Sequence, residues 1–199
     1  MKTLSMKIIH SAAFFTIVLF TPFVLNAQSL KSLDDNNGFK THKLGSKYTS
    51  LYGLKSKEED GSEKVVINST ADKIGDIQVK TIELYYLKDT LAKIIVKVSP
   101  EYHARLIEAS KNSFGIPTQN LSDNETTRKA KNENLTAGKY YRDQYIWKTK
   151  RINLEYFYQY PVVDATAYTQ KDLHLSFALN DYATRLTRAK KGTYTAKDF

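Results

Sequence analysis

The feature that most constrains the fold is a period-two alternation running from residue 81 to residue 98. Ile82, Leu84 and Tyr86 alternate with Thr81, Glu83 and Tyr85. After Lys88-Asp89-Thr90, the residues Ala92, Ile94, Val96 and Val98 alternate with Lys93, Ile95 and Lys97. Successive side chains of a strand point to opposite faces, so two such runs joined by a short polar turn predict an antiparallel hairpin with one apolar and one mixed face. A lone hairpin is at best marginal in water, so its apolar face requires more strands and a covering layer.

Those partners can be found further along the chain. Tyr145, Trp147 and Thr149 share one side of a strand, a turn follows near Lys150-Arg151, and Ile152, Leu154, Tyr156, Tyr158 and Tyr160 share one side of the next, which Pro161 ends. Leu173, Leu175, Phe177 and Leu179 mark a last strand. Shorter strands are expected at Phe39–Leu44 and Val65–Ile67, with a short helix through Tyr48, Leu51 and Tyr52 capped by Ser46. Ser99-Pro100-Glu101 opens a helix that runs to Phe114 and stops at Gly115 and Pro117. Asn180 is placed to cap a helix from Asp181 to Lys191. The fold class is therefore α+β: a mostly antiparallel sheet with helices packed on one face. Residues 101–109 and 181–189 share Tyr, Arg, Leu and Ala at matching positions, and each segment follows a strand. Two strand–strand–helix units, or two helices alike by chance, both account for this.

The domain organisation follows from composition. Residues 1–27 read as a secretory signal peptide, with Lys2 and Lys7 ahead of an uncharged apolar stretch, a break at Pro22, and cleavage between Ala27 and Gln28. Pro22 and the polar Ser11, Thr16 and Thr21 favour cleavage over an uncleaved anchor. Residues 28–37 are polar and expected to form a flexible leader. Residues 38–199 form a single domain interrupted by a long polar loop at about 119–139. No later apolar run is long enough to cross a membrane as a helix. The expected location is periplasmic or secreted.

Composition also bounds the chemistry. The 199 residues include no cysteine, which excludes disulfides, thiolate metal sites and a cysteine nucleophile. His42, His103 and His174 are widely spaced and lack clustered ligands; no nucleophile-elbow, phosphate-loop or zinc-protease motif occurs. No cofactor or metal is implied. The chain carries 30 Lys+Arg against 21 Asp+Glu, and loss of Lys2 and Lys7 with the signal leaves 28 against 21. A basic exported domain points to anionic partners: a glycan, a lipid head group or an envelope protein, ahead of nucleic acid.

One strip concentrates the residue types that such binding uses. Tyr141, Arg142, Tyr145, Trp147, Lys148 and Arg151 lie on one strand and its turn. Aromatic faces with interleaved cations can stack sugars and hold anionic groups. The same aromatics can instead fill a half-buried strand face, and Trp147 in particular suits core packing.

Short blocks across the mature chain resemble uncharacterised exported proteins of Gram-negative bacteria. They are Leu25-Asn26-Ala27-Gln28, Asn37-Gly38-Phe39-Lys40 with Lys43-Leu44-Gly45, Phe114-Gly115-Ile116-Pro117, and the Trp147 strand before an aromatic hairpin. The resemblance implies location and fold, and no activity. The expected function is thus a non-enzymatic binding module for an anionic envelope component or envelope protein. The alternatives are a hydrolase whose Asp/Glu pair is assembled only in the fold, and an assembly module that pairs through a sheet edge.

Overall fold

The computed structural model describes residues 30–69, 71–128, 138–161 and 171–191; the side chains of residues 123–128, 138–140 and 161 are not described. The signal peptide and the Ala27–Gln28 cleavage point expected from the sequence lie outside these residues.

Strand β1 (Gly38–Phe39) and strand β2 (His42–Lys43) form a small separate hairpin. Gly38 is required there: its φ is +145°, and a Cβ would stand 2.2 Å from the carbonyl oxygen of His42. All other described strands join one antiparallel sheet. They are β3 (Ser56–Lys57), β4 (Glu63–Asn68), β5 (Lys73–Ile74), β6 (Ile77–Leu87), β7 (Thr90–Val98), β8 (Gln119–Asn120), β9 (Asp123–Arg128), β10 (Gly138–Lys148), β11 (Ile152–Pro161) and β12 (Asp172–Leu179). The main order is β3-β4-β6-β7-β12-β11-β10-β8, with β5 added to β6 and β9 to β10. The last strand therefore sits at the centre, between the two long hairpins β6–β7 and β10–β11.

The alternation expected for residues 81–98 sets the core. Ile82, Leu84, Ile94 and Val96 are buried on one face with Val65, Leu154, Leu175 and Phe177 from neighbouring strands. The hairpin turns through Lys88-Asp89, at φ 46° and 61°, the left-handed backbone that a two-residue connection between twisted strands favours. The opposite face carries Glu83, Tyr85, Lys93 and Lys97, and Glu83 accepts from both Tyr85 and Lys97.

Helical residues 30–36 form α1, and helices α2 (His103–Phe114) and α3 (Tyr182–Lys190) follow. Helix α2 covers the apolar face, with Leu106 fully buried and the Phe114 ring edge-on to Trp147. Helix α3 meets the other face, where the Tyr182 ring receives the Lys93 ammonium and Lys190 lies against Gly61. The expectation that the helices share one face thus fails at α3: α2 covers the apolar face, Leu33 of α1 packs into the same core, and α3 lies on the other side. The repeated strand–strand–helix order exists in the chain, but its two helices are not placed equivalently.

Several local expectations change. The segment 28–37, expected to be a flexible leader, is helical over residues 30–36 with Leu33 in the core. The polar stretch 119–139, expected to be one long loop, contributes β8, β9 and the start of β10. Its polarity fits strands on the β10 edge of the sheet, away from the central core. Before α2 the chain makes a 3-10 turn over Pro100–Tyr102, and Ser99 provides no side-chain cap. Asn180 does not cap α3; its amide donates to the Thr149 carbonyl instead.

Candidate functional site

The β10–β11 hairpin carries all six candidate binding residues, and its register decides which can act together. Tyr141 faces Tyr160, Asp143 faces Tyr158, Tyr145 faces Tyr156, and Trp147 faces Leu154. Side chains alternate across a strand, so Tyr141, Asp143, Tyr145 and Trp147 lie on the α2 side, while Arg142, Gln144, Ile146 and Lys148 lie on the other. The strip is therefore split between two faces and a turn.

Trp147 is completely buried, and its indole N–H donates to the Gly115 carbonyl at 2.9 Å. Gly115 ends α2 at φ 77°, so this bond joins the helix terminus to the hairpin. As a proposed ligand contact Trp147 is corrected: a ring enclosed by Phe114 and the core has no face to offer. Tyr145 packs against the core, with its ring 5.8 Å from that of Tyr156 and with the Lys111 ammonium 4.9 Å from its own centroid. Arg142 points to the opposite face, away from Tyr141 and Tyr145. It is therefore corrected as a partner of those rings.

Towards the open end of the hairpin the tyrosines form a stack. His103 lies nearly parallel to Tyr158 at 4.8 Å, Tyr158 stacks on Tyr160 at 5.0 Å, and Tyr160 stacks on Tyr141 at 5.3 Å. Exposure rises along it, from 6% at Tyr158 to 36% at Tyr141. Tyr156 lies deeper and donates its hydroxyl to the His103 carbonyl at 3.2 Å. Among these rings sits Asp143, half-buried and, among the described residues, without a hydrogen bond or ion pair. Burial first, and the Asp143 charge among the other causes, raises the phenol pKa values of Tyr156, Tyr158 and Tyr160.

The turn end has the opposite character. Lys148, Lys150 and Arg151 sit exposed around Thr149. The nearby acids are already engaged: Asp34 of α1 accepts from the Thr149 hydroxyl and the Arg151 N–H, Asp35 pairs with Lys31, and Asp181 pairs with Arg185. The three cationic side chains of the turn are left without an acidic partner among the described residues. Two open grooves flank them, one running beside Leu30, Lys31 and Asp34, the other beside Lys47, Asn180 and Arg185. Lys148 and Arg151 thus share one exposed turn with Lys150.

The sequence reading missed Asp143 and the facing tyrosines. Their signal was present as two period-two runs, 141-143-145 and 156-158-160, folded about a turn at Lys150-Arg151. Among the described residues no three His, Asp or Glu side chains gather as metal ligands would. No described helix is long and apolar enough to cross a membrane. Comparison with protein families, with curated proteins and with solved structures found no match.

Proposed function

We propose that this chain is an exported, non-enzymatic binding module that engages an anionic envelope component through the β10–β11 turn. One observation carries the reading. Among the described residues, Lys148, Lys150 and Arg151 stand without an acidic partner on a single exposed turn, while the acids close to them are engaged elsewhere. Cations held apart from acids on a projecting turn attract phosphate, carboxylate or sulfate groups, and the interaction weakens as salt rises. Arg151 adds a planar fork suited to such groups. The export part of the proposal rests on residues 1–27 and their Ala27–Gln28 boundary.

The test is salt-titrated binding of the mature chain to vesicles of an anionic phospholipid and, separately, to an acidic glycan. Each basic side chain near an anionic surface contributes about 1 kcal/mol, so the Lys148→Ala/Lys150→Ala/Arg151→Ala variant should bind about a hundredfold more weakly while melting like the parent. Parent-like affinity in the triple variant, or affinity indifferent to salt, would refute the turn as the binding element. Preference for vesicles or glycan identifies the component.

A further inference from the structure

We propose that Asp143 and the tyrosines around it form a second site, which binds an organic ammonium group. The site lies about 17 Å along the strand from the cationic turn, at about 3.4 Å per residue over five residues. It takes a ligand of opposite charge and does not depend on the function proposed for that turn.

The argument starts from an electrostatic mismatch. A carboxylate removed from water ordinarily has a cation or several donors beside it. Asp143 has tyrosines on every side along the hairpin: Tyr141 and Tyr145 two residues away on its own strand, Tyr158 directly opposite, and Tyr156 and Tyr160 on the diagonals. The stack covers both faces of Tyr158 and of Tyr160, and Lys111 lies over Tyr145, so the outer face of Tyr141, two residues from Asp143, is the electron-rich face left for a cation. The pKa directions of Tyr156, Tyr158 and Tyr160 report the same proximity, since Asp143 opposes ionisation of all three. Lys111 gives an internal precedent. Its ammonium sits 4.9 Å from the Tyr145 centroid, yet it makes no ion pair with Asp143.

The chemistry of the surroundings selects the ligand class. A divalent metal would call for several oxygen ligands, whereas Asp143 is the one carboxylate here among the described residues. A methylated ammonium is weakly hydrated, matches aromatic faces, and needs a single countercharge. The gradient of exposure from Tyr158 to Tyr141 places the approach at the Tyr141 end of the stack.

The experiment titrates the mature chain with tetramethylammonium chloride and with choline chloride at constant ionic strength set by sodium chloride, following the tyrosine ring resonances by NMR. Both ammonium ions should shift the Tyr141 and Tyr160 resonances saturably. Asp143→Asn keeps the shape and removes the charge, and should weaken binding about tenfold or more; 3,3-dimethylbutanol, the uncharged analogue of choline, should bind at least about tenfold more weakly than choline. Tyr141→Leu, at the exposed end where folding is not at stake, should weaken choline binding about threefold. The triple substitution at residues 148, 150 and 151 should leave ammonium binding unchanged. Absence of ring shifts overturns the proposal, as does equal binding of dimethylbutanol or parent-like affinity in a folded Asp143→Asn variant.

Discussion

The two long hairpins of this sheet share a topology and differ in how they treat their polar groups. In β6–β7 the apolar face is aliphatic and closed, with Ile82, Leu84, Ile94 and Val96 buried. On the other face Glu83 is enclosed by Lys97 at 2.6 Å and Tyr85 at 2.8 Å, and Tyr85 also receives Lys64 and Lys93 over its ring. In β10–β11 burial runs from the turn through Trp147, Leu154 and Tyr156 to Tyr158 and gives way to exposure at Tyr141. The remainder carries a stack of tyrosines and, among the described residues, a carboxylate and three cations without ionic partners. Charges that meet inside the protein hold its strands in register, and charges that meet nothing inside are available to something outside. The first hairpin is scaffold; the second carries the candidate sites.

The largest effects should come from breaking the cores that the hairpins share. Trp147→Ala should cost about 3–5 kcal/mol and Leu84→Ala about 2–5 kcal/mol, measured by urea unfolding. Tyr141→Ala, on the same strand as Trp147, should cost less than about 1 kcal/mol. Equal losses at Trp147 and Tyr141 would erase the gradient along β10 and with it the division between core and open end.

Charge removal probes the contrast next. Glu83→Gln strips the partner from Lys97 and weakens the bond from Tyr85, and should cost about 1–2 kcal/mol by thermal unfolding. Asp143→Asn removes a half-buried charge that pairs with no group among the described residues, and should leave stability within about 0.5 kcal/mol of the parent or raise it. A strong loss at Asp143 would show that its charge is structural, like that of Glu83.

Alkaline titration gives the finest separation. Tyr86 of the first hairpin is pushed up to about 12 by burial, while Tyr158 and Tyr160 are raised by burial with a contribution from Asp143. A phenol whose folded pKa exceeds its unfolded value of about 10 binds its proton more tightly in the folded state. Its contribution to stability is therefore complete below about pH 10 and is lost as the pH climbs through the folded value. Asp143→Asn should lower the titration of Tyr158 and Tyr160, followed by ring-resolved NMR, and leave Tyr86 where it is. A parallel shift at Tyr86 would mean that the variant had loosened the whole sheet.

The scaffold was legible in the sequence because one buried face imposes period two, and that period is clear at residues 81–98, 152–160 and 173–179. The α+β class and the antiparallel arrangement follow from it. Elements with little buried surface left no such mark. Helix α1 contributes Leu33 to the core, and its Asp34 finds partners 115 and 117 residues away at Thr149 and Arg151. Strands β8 and β9 are built of polar residues on the β10 side of the sheet. At the candidate site the residue types were visible, but their grouping was not. Neighbours in sequence, such as Tyr141 and Arg142, part to opposite faces, while Asp143 meets Tyr158 across the strands. Proximity along the chain is not proximity in space here, because alternation within a strand sends neighbours to opposite faces.

The buried indole at residue 147 has a spectroscopic consequence. It is the chain's one tryptophan, among 14 tyrosines. Its emission should be blue-shifted while α2 remains docked through Gly115 and should move to the red when that helix leaves. Tyr145 and Tyr156 lie near it on the same face and can pass excitation to it. A ligand on the outer rings would then change tyrosine emission and leave the indole maximum fixed, so one fluorescence scan distinguishes occupancy of the open end from loss of the fold.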